Sequence, residues 1–100
     1  MATTSKVLFR GAASTSSATL YTTPSSTTTV VTNISVANTA ASAATFTILL
    51  DDIELQKDST VAANTTAYID LKQVLEATDT IKGLASATTV DFHISGVEIA

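Results

Sequence analysis

From residue 11 to residue 50 the chain carries no charged side chain. Few soluble folds tolerate so long an uncharged run, and its internal spacing narrows the choice. In TVVTNISVANTA, Val30, Thr32, Ile34 and Val36 fall on one side of an extended chain. Val31, Asn33, Ser35 and Ala37 fall on the other. A period of two is the mark of a half-buried strand and does not fit a helix. The residues that fill the run, Thr above all, are stiff at χ1 and favour extended backbone. A low-charge, Ser/Thr-rich chain resembles a linker, but disorder requires low hydrophobicity, and 45% of these residues are hydrophobic. The chain therefore reads as all-β.

The same period recurs at short intervals. KVLFRGAA (6–13) sets Val7 and Phe9 against Leu8 and Arg10. SATLYTTP (17–24) ends at a proline, which cannot donate to a ladder, and 25–28 reads as a turn. ATFTILL, the pair Asp51-Asp52, and IELQ form a hairpin with Phe46, Ile48 and Leu50 inward. Asn64 marks a turn before TAYIDL. Leu71, Val74 and Leu75 follow at i, i+3, i+4, which predicts a short helical turn near 71–76 with Asp70 as its N-cap. DTIKGLASA is a strand weakened at Gly83, with Asp79 in the turn before it. VDFHISGVEI closes the chain, with Val90, Phe92 and Ile94 inward and His93 outward. About eight short strands with turns between them predict an antiparallel β-sandwich, immunoglobulin-like or jelly-roll. Residues 17–100 form that domain, and 1–16 is expected to be a partly extended N-terminal arm that orders on a neighbour.

No pattern announces catalysis. His93 is the sole histidine, and Asp91 shares its strand face without a nucleophile in view, so a surface histidine is the plainer reading. Asp51, Asp52, Glu54 and Asp58 supply enough oxygens for a calcium ion but lack the spacing of a calcium loop, so a solvated hairpin turn is preferred. Asp70, Glu76 and Asp79 resemble a glycosidase carboxylate set, without the aromatics of a sugar cleft. No GxSxG elbow or phosphate loop occurs. Asn33 and Asn64 each begin a glycosylation triplet; without a secretion signal both read as chance. The net charge of -4 and five scattered basic residues argue against a nucleic-acid partner. No apolar run is long enough to span a bilayer as a helix. No cofactor, metal or membrane is expected, and the chain is not expected to be an enzyme.

VVTNISVANTAASAATFTILLDD, then STVAANTTAYIDLKQVLEATDTIKGLASA and VDFHISGVEI, together resemble small β-sandwich virion proteins of tailed bacteriophages. The resemblance runs over roughly residues 17 to 99. This sequence departs from it at Asp52, where a turn glycine is common, and at Thr78, where a glycine before the aspartate is common. The resemblance implies a capsid decoration (cement) protein on the head exterior, made in the host cytoplasm. The implied partners are the major capsid protein or other virion proteins, and the implied assembly is a trimer. A tail, neck or fibre component with a host-surface carbohydrate role is the other expectation, and the third, from outside the resemblance, is a carbohydrate-binding module or small hydrolase on a sandwich scaffold. The contact residues expected in the arm are Lys6, Leu8, Phe9 and Arg10. A protein locked among neighbours explains the missing charge, because interface cores are depleted in charged residues.

Overall fold

The computed structural model describes residues 2–100. They form eight strands: β1 (Thr3–Ala12), β2 (Ala18–Thr22), β3 (Thr28–Asn38), β4 (Ala44–Leu50), β5 (Ile53–Val61), β6 (Thr66–Leu75), β7 (Thr80–Ala85) and β8 (Val90–Ile99). One sheet has the order β1-β8-β3-β6 and the other β2-β7-β4-β5. The pairing has a simple origin. Fold the chain back on itself at the β4–β5 hairpin, and β4 meets β5, β3 meets β6, β2 meets β7 and β1 meets β8. That eight-stranded ribbon then rolls up, closing through β3–β8 and β4–β7. This is the wiring of a jelly roll, not of an immunoglobulin domain.

The hairpin at the fold's centre turns through Asp51 and Asp52, both left-handed, with φ of 52° and 62°. Two successive positive φ values are what a two-residue type I′ turn requires. The core lies between the sheets. Val31, Ile34 and Val36 of β3 face Ile48 of β4 and Ile81 of β7, all fully buried. Phe46 and Phe92 cross between the sheets edge to face, with ring centroids 6.3 Å apart. Such a pair adds roughly 1 kcal/mol beyond its buried area.

The expected helical turn at 71–76 is absent; β6 continues as strand to Leu75. The reason is arithmetic. Leu71 and Leu75 are four apart, a spacing that satisfies both a helical face and every second residue of a strand. Leu75 is buried and Leu71 packs on the core, while Val74 is 60% exposed on the opposite face. Asp70 is accordingly no N-cap. It lies on β6 and accepts from Asn33 Nδ2 at 3.4 Å. Asp79 does hold its turn, accepting the Glu76 N–H at 2.9 Å.

Facing also departs from simple alternation in β3. Thr29 and Val31 are buried, then Ile34, Val36 and Asn38, so the phase flips at Thr32. Val31 thus joins the inward face of Ile34 and Val36, where alternation alone would have put Val30. A bulge causes it: Val31 pairs with Gly96 and Asn33 with Ser95, leaving Thr32 extra. Strand β1 bulges at Leu8 one residue further along β8, between the partners Ser95 and Ile94. Strand β2 bulges at Leu20, against β7. The two bulged leucines share a device, for each approaches a glycine in the neighbouring strand. A Cβ on Gly96 would lie 2.9 Å from Leu8 Cδ1, and one on Gly83 3.0 Å from Leu20 Cδ1.

The stretch expected to be an arm holds β1, which pairs with β8 over its length. Residues 3–12 are extended, and their partner is within the chain itself. Strand β5 is also longer than IELQ. It runs through Lys57 and Asp58, where a second irregularity is tied down by the Asp58 N–H donating to Thr47 Oγ1 at 3.0 Å.

Thr78 stands in the left-handed region at φ 71°, costly for a β-branched residue. Both positions where the resemblance expects glycine, 52 and 78, thus adopt backbone that glycine enters freely. Replacing Thr78 by glycine is expected to raise the unfolding free energy by about 1 kcal/mol. A urea titration with unchanged m-value checks this; a loss of stability would mean that the Thr78 side chain outweighs its backbone strain.

Candidate interaction surface at the loop tip

The rolled ribbon sends its loops to two ends, and the ends differ in charge. One end gathers 13–17, 39–43, 62–65 and 86–89, which read ASTSS, TAASA, AANT and SATT. None of these residues is charged. Backbone bonds knit them: Asn38 N–H to Thr65 O at 2.9 Å, Asn64 N–H to Ala40 O at 3.0 Å, Thr39 N–H to Thr89 O at 3.1 Å, and Ala85 N–H to Ser14 O at 2.9 Å. The other end gathers 23–27, 51–52 and 76–79, with Asp51, Asp52, Glu76 and Asp79 among them. The molecule measures 46 Å along its longest axis, both ends included.

Asn38 organises the tip. It is buried at the end of β3, and its amide group reaches three carbonyls: Ser42 O at 2.8 Å, Val61 O at 3.3 Å and Ala62 O at 3.4 Å. Its Oδ1 accepts the Ala40 N–H at 3.1 Å and the Thr89 hydroxyl at 3.5 Å. One side chain therefore holds three of the four loops. Beside it lies a shallow hollow of about 360 Å³ lined by Ala37, Asn38, Thr39, Asn64, Thr65 and Thr66. Its polar groups are hydroxyls and amides, with no carboxylate, amine or imidazole to accept a proton. The tip can recognise a partner by hydrogen bonds and shape. It offers no base to activate its serines.

The sequence treated 39–43 as a small polar connection and did not single out Asn38. The only local signal was a polar residue two positions after Val36, at the inward phase of β3. Asn64 does take the turn expected of it, with φ 53°.

The four expected contact residues separate. Leu8 is a core residue, 7% exposed, and is not available to a partner. Phe9 is half-buried against the core. Lys6 is exposed and pairs with Glu98 at 3.3 Å. Arg10 is exposed and donates from Nε to His93 Nδ1 at 3.2 Å. The bulge at Leu8 makes the split, turning Leu8 and Phe9 inward together. His93 is exposed, as expected from its alternation with Phe92 and Ile94.

Glu98 sits between the sheets at the acidic end. It accepts from the Tyr21 hydroxyl at 2.5 Å, and that oxygen lies 2.9 Å from Thr29 Oγ1. The Tyr21 bond, with help from Lys6, holds the Glu98 carboxyl below the usual carboxylate range. Burial, and then the carboxylate beside it, push the Tyr21 phenol up to about 12. Three carboxylates in and after the hairpin pair with lysines: Asp52 with Lys82 at 2.6 Å, Glu54 with Lys57 at 3.2 Å and Asp58 with Lys57 at 3.9 Å. Among the described residues no three acidic or metal-ligating side chains converge to hold an ion. Asp70 lies midway along β6, whereas Glu76 and Asp79 lie in the turn beyond its end. No helix of the described residues is long and apolar enough to cross a membrane.

Neither a protein-family model nor a curated protein sequence matches the chain.

Proposed function

We propose that this protein is a structural component of a tailed-bacteriophage particle, a decoration (cement) protein that binds the head exterior and braces capsid subunits. The observation that carries the reading is the charge-free tip. Four loops from distant parts of the chain converge there, and every one is built of Ala, Ser, Thr and Asn. Docking such a surface strips water from hydroxyls and amides, which a partner's backbone replaces, and leaves no ion to desolvate. The uncharged run of the sequence thus acquires a place. The acidic end points away from the partner and keeps the particle surface soluble. Jelly rolls are also common in virion proteins, an argument from likeness of fold alone. In this reading the chain performs no catalysis.

A second reading, a tail or fibre component that touches host glycans, draws on the hollow beside Asn38, whose hydroxyls and amides suit sugar hydroxyls. It is weaker, because Tyr68, two residues along β6 from Thr66 of the hollow, is the one tyrosine near the tip, while Tyr21 bonds Glu98 at the acidic end.

The test is cryo-EM of the particle, with the wild-type chain and with Ala41→Glu or Thr88→Glu, both exposed at the tip. Density at symmetry-related sites on the head, tip inward, is expected for the wild type, with occupancy lost in both variants. Density confined to the tail or neck selects the second reading, and wild-type occupancy in the variants removes the tip from the contact.

A further inference from the structure

The outer face of the β1-β8-β3-β6 sheet is covered by none of the described residues. His93 shows this best, for it lies on a central strand and is exposed. The register lays cross-strand rows on this face. One row reads Arg10, His93, Ser35 and Tyr68 from β1 to β6. Another places Val97, Val30 and Val74 side by side across β8, β3 and β6. Tyr68 is 73% exposed and Val74 60%. The outer side of the other sheet differs, because Lys82 of β7 pairs with Asp52 of the β4–β5 hairpin, and Lys57 pairs with Glu54 and Asp58 along the edge strand β5.

We propose that this face binds a second copy of the chain, sheet against sheet, about a two-fold axis parallel to the strands. Such an axis sets β1 over β6 of the partner and β8 over β3 of the partner, row against the same row. The valine row then meets itself. Arg10 comes over Tyr68 of the partner subunit, where a guanidinium stacks on an aromatic face. Asp70 of the partner subunit lies one row away, about 7 Å along the strand, within reach of the same guanidinium. A two-fold axis perpendicular to the strands instead sets His93 over Val97 and loses these matches.

The area is sufficient. Four strands about 4.8 Å apart and about nine residues at 3.4 Å give a face near 600 Å². Two copies bury about 1,200 Å², above the roughly 1,000 Å² that a specific interface needs. The axis also leaves both charge-free tips at the same end. The dimer is therefore bivalent toward any surface that the tip recognises, which multiplies weak contacts by avidity. The inference stands on the sheet face and does not rest on the virion reading.

Sedimentation of the whole chain over a concentration series tests it. The expected species at high micromolar concentration has twice the 10.3 kDa chain mass. Val74→Glu, on the exposed edge strand, is expected to weaken the dimer by more than about tenfold, since it buries an unpaired carboxylate. Ile53→Glu, 72% exposed on the other sheet, is expected to change nothing. The chain has no cysteine, so Arg10→Cys with Tyr68→Cys gives a clean cross-linking pair. These positions are three strand spacings apart within one chain, about 14 Å, too far for a short bismaleimide. Cross-linked dimer is expected; its absence overturns the axis. A monomer at every concentration, a trimer (the assembly that the resemblance implies), or a Val74→Glu dimer of wild-type strength overturns the proposal. Thermal melts of each variant confirm that the fold is intact. Loss of particle binding with an intact dimer leaves this inference standing and removes only the tip reading.

Discussion

Asn38→Ala is expected to lower the unfolding free energy by about 3 kcal/mol, among the largest effects of any polar substitution in this chain. The side chain is buried and its amide group serves Ser42, Val61 and Ala62 carbonyls, while its Oδ1 takes the Ala40 N–H. Alanine removes the side-chain partner of the Ser42 carbonyl and of the Ala40 N–H in a crowded place, while the Ala62 carbonyl keeps the Thr65 hydroxyl, and each orphan costs about 1–3 kcal/mol. Relaxation and water entry recover part of that sum. Asn38→Asp separates hydrogen bonding from packing. It keeps the shape but replaces the donor group with an acceptor aimed at three carbonyl oxygens. It is expected to be at least as harmful as alanine near neutral pH. Urea titrations give the stability change, and amide exchange locates it. Exchange should quicken at 39–43 and 62–65 before it quickens in β7. A stability loss below about 1 kcal/mol in both variants would show that water substitutes for the side chain and that the tip is not organised by Asn38.

Gly96→Ala is expected to cost about 3 kcal/mol, and the three glycines of the chain should form a graded series. At position 96 a Cβ would collide with the Val30 carbonyl oxygen and stand 2.9 Å from Leu8 Cδ1. The first obstacle is backbone, so β3 must move away from β8 at the point where β3 bulges. At Gly83 the nearest atoms are side-chain carbons of Leu20, Phe92 and Ile48 at 3.0 to 3.3 Å. These yield by small rotations, and the expected cost is about 1 kcal/mol. At Gly11 only the Phe9 ring is near, at 3.3 Å, and Gly11→Ala is expected to be close to neutral. Urea titrations of the three variants rank the costs. Equal effects at 96 and 11 would contradict the view that β3 and β8 are held in close backbone contact at the bulge.

Much of the secondary structure was legible from period and turn chemistry. The sequences of 44–50, 53–56 and 90–99 alternate and Asp51-Asp52 marks its hairpin without a glycine, although a register shift at Leu55 packs that residue on the core and leaves Ile53 72% exposed. The misreadings have two causes. Leu71 and Leu75 fit two periods at once, and nothing local decides between them. The phases of β1 and β3 were lost at Leu8 and Thr32 because a bulge inserts one residue, and every later side chain then changes face. No local signal predicts where a bulge falls. It depends on which strand lies alongside.

The sequence by itself determined that this chain is a β-sandwich of about eight strands with little surface charge. Both properties are sums over local choices, β-branched alternation and the distribution of Asp, Glu, Lys and Arg. The tertiary structure alone decided the rest. Pairing Thr3–Ala12 with Val90–Ile99 joins residues from opposite ends of the chain, and that long-range closure carries no local cost or signal until the strands meet. Only after the ribbon rolls do four separate loops come together as one uncharged tip, and only then does Asn38 have carbonyls to satisfy.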